Sequence, residues 1–215
     1  VSMAFRMEWI ERDPFINFKS RMVKKERDFL TQSELDRLEA LACSNSRLTR
    51  VKDLFLFSCY TGIAFCDIML LTKRNVVEGE DGNLWIFTDR KKTATPVKVP
   101  LLPQALAIIE QYKSLSKMSK SKSLLPVLSN QKINAYLKEV ANLCAIRKHL
   151  TFHMARHTFA TTVTLTNGVP LETVSKLLGH TKLTTTQIYA RVIEKKVSED
   201  MNMLRTKMER KLAKR

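Results

Sequence analysis

The sequence has no apolar run of membrane-spanning length and no signal-peptide pattern at its front, so no helical membrane span or secretory leader is read within these residues. Its four cysteines (Cys43, Cys59, Cys66 and Cys144) lack the paired spacing of a zinc site. Three of them sit among apolar neighbours, so free thiols in a reducing compartment are expected, with no metal and no cofactor. No internal repeat is visible. Acidic side chains are also short: 21 Asp and Glu stand against 37 Lys and Arg, leaving a net charge of +16. The basic excess is dispersed along the chain, which favours a polyanionic partner because each neutralised phosphate releases counterions. The plainer account of that charge is a ribosomal or merely soluble basic protein.

With 215 residues, 44% of them hydrophobic, the chain is long enough for one sizeable core, or for a domain plus a fragment of another. Residues 1–28 mix aromatic and basic side chains around Pro14, with Trp9, Phe15 and Phe18 as anchors for packing onto the helices after them. They read as a linker or the tail end of a preceding domain. Thr31 or Ser33 then caps a helix with Leu35, Leu38 and Leu41-Ala42 at helical spacing. A second helix runs roughly from Leu48 to Tyr60, and a third begins near Ala64 and carries Ile68, Leu70 and Leu71. Asn75 to Val77, Leu84 to Thr88 and Pro96 to Pro100 read as three short antiparallel strands. Two more helices span Gln104 to Lys117 and Asn130 to Cys144, separated by a Ser/Lys-rich tip from Ser114 to Ser123. A helix after His153 stops at Asn167-Gly168, another starts at Pro170 and ends at Gly179, and a charged last helix comes after Arg191, docking by Val192, Val197, Met201 and Leu204. The fold class is mainly α with a small three-stranded antiparallel sheet.

Three segments carry chemistry. His153, Arg156 and His157 cluster at a helix start, where free backbone N–H groups suit an anion. Gly179 frees His180 to face a pocket, and Tyr189 comes nine residues later behind a threonine cluster. Lys91-Lys92-Thr93 forms the turn between the second and third strands, where a flexible ammonium reaches a phosphate or a leaving oxygen. Each segment alone also fits packing or a solvated surface.

Together, Thr151 to Ala160, Leu178-Gly179-His180-Thr181, Gln187-Ile188-Tyr189-Ala190, Tyr60-Thr61-Gly62 and Asp67-Ile68 resemble the tyrosine recombinase (phage integrase) family over about residues 30–195. The nearest flavour is that of integrases of conjugative transposons and other mobile elements. The resemblance implies a catalytic domain over residues 29–195, with residues 1–28 as the exit of an N-terminal DNA-binding domain. Residues 196–215 would form a C-terminal helix that is exchanged between subunits or packs in cis. It implies that Tyr189 attacks a DNA phosphodiester to form a 3′-phosphotyrosyl bond, needing no metal and no ATP. Arg156 would clamp the non-bridging oxygens, His180 would share that task, and His153 would assist proton transfer. Lys92 would protonate the 5′ oxygen, with Lys91 as the fallback. Expected partners are double-stranded DNA at specific recombination sites, three further copies in a homotetramer, and accessory DNA-bending proteins, in the bacterial cytoplasm.

One position departs from the family pattern. Two residues after Thr61-Gly62, where the family carries its first active-site arginine, stands Ala64. Arg50, Lys52 and Arg74 are the neighbouring cations that would replace its charge, and Asp67 would support the site by a hydrogen bond. A DNA-binding module of the same fold that cuts weakly or not at all is therefore the main alternative, and a type IB topoisomerase is the third reading.

Overall fold

The computed structural model describes residues 1–18, 27–43, 45–116, 122–189, 197 and 201–209. Helix α1 (Ser2–Arg6) is a single turn with no buried residue. Trp9, Phe15 and Phe18 point to solvent, Trp9 with 72% of its surface exposed, so this segment does not pack onto the body of the protein. Five helical residues present too little apolar area to hold the segment in place.

The core starts at Leu30, which is fully buried. Helix α2 (Gln32–Ala40) opens with a capping box: Thr31 accepts from the Glu34 N–H and Glu34 accepts from the Thr31 N–H. Helix α3 (Ser46–Thr61) is the central element, buried on most sides from Val51 to Thr61 and packed against helices α5, α6 and α7. It ends where the sequence places the stop, at Gly62 in the left-handed region (φ 68°). A Cβ there would meet the Phe159 ring at 2.4 Å, so closeness as well as φ requires glycine.

The third expected helix shortens to one turn, α4 (Phe65–Ile68). Leu71 is buried and Leu70 exposed, as a chain turning into the sheet requires. Strands β1 (Val76–Glu78), β2 (Leu84–Asp89) and β3 (Pro96–Pro100) form the expected antiparallel sheet in the order β1-β2-β3, with Val76 opposite Ile86 and Ile86 opposite Val99. Helices α5 (Pro103–Ser116) and α6 (Asn130–Leu143) match expectation. Residues 114–116, where the expected helix and the expected Ser/Lys-rich loop overlap, are helical, and residues 117–121 lie outside the described residues.

Helix α7 (Phe152–Thr158) includes His153 in its first turn and continues as a wider π-turn, Phe159–Thr164, before Gly168 ends it (φ 91°). The widening has a local cause. The hydroxyls of Thr158, Thr161 and Thr164 all donate back to carbonyls of the preceding turn, competing with the ordinary ladder. Helix α8 (Leu171–Leu177) starts just after Pro170. Residues 201–209 are helical, but Val197, Met201 and Leu204 are exposed and do not dock as expected. Val192 lies outside the described residues.

Candidate active site

Arg156 occupies the meeting point of three helices. Its guanidinium is buried, donating from Nη1 to the Gly62 carbonyl at 2.7 Å and from Nη2 to the Leu178 carbonyl. Those carbonyls cap α3 and α8, the negative ends of two helix dipoles, and a guanidinium fork satisfies both at once. Burial, then the like charge of Arg90, pulls its pKa down to about 10, so it keeps its charge at neutral pH.

Gly179 (φ 61°) turns the chain out of α8 and presents His180, whose Nδ1 lies 2.8 Å from the Thr186 hydroxyl. With that hydroxyl donating, Nε2 keeps the ring proton and stays available as a donor. Burial, Arg156 and Arg90 push the His180 pKa down to about 4, so the ring is neutral. Tyr189 ends a 3₁₀ turn (Gln187–Tyr189) and is only 5% exposed, packed with Phe159, Ala160, Leu165, Val174 and Leu178. Burial raises its pKa to about 12, although Arg156 and Arg27 pull the other way.

Two residues belong to this neighbourhood that sequence reasoning left without a role. The first is His157, whose Nδ1 lies 2.6 Å from Tyr189 Oη. His153, expected to assist proton transfer at the nucleophile or the phosphate, lies with its ring edge-to-face on His157 at 4.4 Å and has an exposed side. The signal was present: His153 and His157 are four residues apart, on one helix face.

The second is Arg90. It ends the β2 side of the turn, and its Nη1 donates to the Gly179 carbonyl at 3.2 Å while its buried Nε has no partner among the described residues. Its charge depresses the pKa values of His153, Arg156 and His180 together. None of the three cations near Ala64 in sequence shows that coupling. Lys52 donates to the Leu41 carbonyl, Arg50 acts on Tyr112, and Arg74 lies exposed in the 3₁₀ turn before β1. Arg90 was hidden because the β2–β3 hairpin, not proximity in the chain, delivers it.

Ala64 and Arg156 line one open cavity of about 360 Å³, together with Ser58, Cys66, Asn134 and His153. Asn134 also accepts the Phe152 N–H at 2.8 Å, fixing the start of α7 over the cavity. Asp67 is buried and accepts the Lys91 backbone N–H at 2.9 Å, tying the β2–β3 turn to α4 as a support. Lys92 sits exposed on that turn, and its ammonium makes no hydrogen bond among the described residues. Those residues also hold no cluster of three or more His, Cys, Asp or Glu fit for a metal, and no helix long and apolar enough to cross a membrane. All four cysteines are free, with Cys59 and Cys144 buried and Cys66 exposed.

The mostly helical body, the three-stranded sheet and the convergence of α3, α7, α8 and the β2–β3 turn define the catalytic-domain fold of the tyrosine recombinases. Lambda integrase, solved as a dimer bound to a COC′ core site, superposes with TM-score 0.68 at 17% identity, over 87% of this chain and 68% of that one. The Tn1549 transposon integrase, solved with circular intermediate DNA, gives 0.67 at 15% identity, over 91% and 76%. The chain belongs to the phage integrase family, whose profile matches residues 28–196. Among curated relatives, the tyrosine recombinase XerC of Halalkalibacterium halodurans is 28% identical over 210 residues, which is 90% of this chain and 68% of the relative. The chain spans 54% of the XerH recombinase structure that it also matches. It is thus similar to the catalytic part of longer DNA breaking-rejoining enzymes, including one from a transposon.

Proposed function

We propose that this chain cleaves and rejoins double-stranded DNA at specific sites through a 3′-phosphotyrosyl intermediate on Tyr189. The observation that carries the reading is the convergence of Tyr189, Arg156 and His180 from separate segments: Arg156 binds the Leu178 carbonyl two residues before His180, and its charge acts on both His180 and Tyr189, with Arg90 adding charge. The Tyr189 oxygen attacks phosphorus and releases its phenolic proton to solvent, the bond to the 5′ oxygen breaks, and Lys92 supplies the proton that oxygen needs. The phosphodiester bond energy is kept in the tyrosyl ester, so the reverse attack by a 5′ hydroxyl rejoins the strand.

Arg156 and Arg90 stabilise the charge that develops on the non-bridging oxygens, and neutral His180 donates from Nε2. His153, open to solvent beside His157, assists proton transfer at the phosphate. Arg90 supplies the positive charge that Ala64 does not. That supports the cleaving reading over a module that binds without cutting. The basic surface supports duplex binding, and the likeness to integrases supports a homotetramer working on two duplexes with accessory bending proteins.

The test is a pool of nicked duplexes of randomised sequence incubated with the protein, followed by denaturing gel. A denaturation-resistant protein–DNA adduct that disappears in Tyr189→Phe supports the proposal. Retardation without adduct supports the binding module, and relaxation of supercoiled plasmid without site preference supports a topoisomerase.

A further inference from the structure

The segment from Thr181 to Tyr189 holds to the protein by very little. Of its nine side chains only Thr186 and Tyr189 are buried; the others, Leu183 and Ile188 included, face solvent. Both buried side chains end on a histidine. Thr186 Oγ1 lies 2.8 Å from His180 Nδ1, and Tyr189 Oη lies 2.6 Å from His157 Nδ1. The Tyr189 N–H donates to the Thr186 carbonyl at 3.1 Å, so the two anchors are the ends of one short turn.

We infer that His157 is a positioning residue that holds the Tyr189 hydroxyl by accepting its hydrogen bond at Nδ1, keeping the nucleophile in its own subunit's active site. This rests on the reading of Tyr189 as nucleophile. The donor direction follows from chemistry: a phenol is the stronger donor of the two groups, and Nδ1 accepts when the ring carries its proton on Nε2.

His157 is not suited to remove the proton. Burial first, then His153, Arg27, Arg156 and His180, presses its pKa down to about 3, against about 12 for Tyr189. The proton therefore stays on the phenol while the site waits, and the role left to His157 is geometric. Its Nε2 is buried with no partner among the described residues, and the ring packs against His153 and the tyrosine. Among the described residues the Tyr189 hydroxyl has no other hydrogen-bond partner, so losing the Nδ1 acceptor leaves the ring held by apolar packing. A nucleophile displaced by about 1 Å loses on the order of 10²-fold in rate.

Two variants separate the role from general damage. His157→Asn puts an acceptor oxygen near the place of Nδ1, and His157→Leu removes it. The first measurement needs no DNA: nitration of Tyr189 by tetranitromethane, mapped by peptide mass. Tyr189 is protected in the parent and in H157N, and reacts at least about 10-fold faster in H157L. Equal protection in H157L overturns the inference.

The second measurement uses the randomised nicked duplexes. Adduct formation falls about 10²-fold in H157L and recovers most of that in H157N. In a Tyr189→Phe background, strand cleavage driven by added hydrogen peroxide probes the phosphate-activating groups without the tyrosine, and H157L leaves it unchanged. An equal fall in peroxide cleavage makes His157 a support of the whole site and overturns the inference. A parent protein that protects Tyr189 yet forms no adduct overturns the recombinase reading and leaves the hydrogen bond standing.

Discussion

Arg90→Ala separates the charge of Arg90 from its structural contacts. Among the described residues Arg90 makes one 3.2 Å hydrogen bond, to the Gly179 carbonyl, and its Nε makes none. Losing that bond costs about 0.5–1.5 kcal/mol of stability. Part of this is offset, because removing the like charge relieves buried Arg156. In the proposed reaction the same guanidinium stabilises the charge that develops on the non-bridging oxygens. One preorganised donor at such a place contributes about 2.7–4 kcal/mol, or roughly 10²–10³ in rate. The two magnitudes differ enough to be told apart. R90A is expected to melt within a few degrees of the parent and to form adduct roughly 10²–10³-fold more slowly under single-turnover conditions with protein in excess. Ala64→Arg added to R90A places a guanidinium in the cavity that Arg156 lines and recovers part of the loss. Adduct formation by R90A within about threefold of the parent refutes the reasoning, and the compensating charge then lies elsewhere.

Arg156→Lys keeps the charge, but an ammonium lacks the planar fork that reaches the Gly62 and Leu178 carbonyls together; a loss of about 1.5–3 kcal/mol in chemical denaturation is expected along with the loss of cleavage. Stability falls in acid because His157 is buried neutral. Its folded pKa of about 3 lies below its unfolded value near 6.5, so the unfolded chain binds the extra proton as pH falls through 6.5. That contribution is fully present above pH 6.5 and about 2 kcal/mol of it is gone by pH 5, visible as a lower Tm by calorimetry and absent in H157N. Asp67→Asn loosens the β2–β3 turn at the Lys91 N–H. It slows cleavage of an ordinary phosphodiester and spares a substrate with a sulfur leaving group, which needs no proton from Lys92.

The periodic parts of the fold were legible in the sequence for physical reasons. Thr31 with Glu34, Gly62, and the alternation around Trp85 and Val97 are local signals, and the structure follows them. What local pattern missed came from distance in sequence. Arg90 reaches the site because β2 and β3 bring the turn to Gly179, 89 residues away. The hydrogen bond between His157 and Tyr189 joins residues 32 apart, and the motif wording around Arg156 drew attention to His153 instead. The anchors expected in Trp9, Phe15 and Leu204 failed because apolar side chains reveal that burial is favourable, not what buries them.

The central claim is that Tyr189 becomes joined to DNA. Trapping on nicked duplex, nuclease and protease digestion, and mass spectrometry of the remaining peptide test it directly. A nucleotide linked through a 3′ phosphate to Tyr189 is expected. An adduct on any other residue, or DNA bound and released with every tyrosine unmodified, contradicts it.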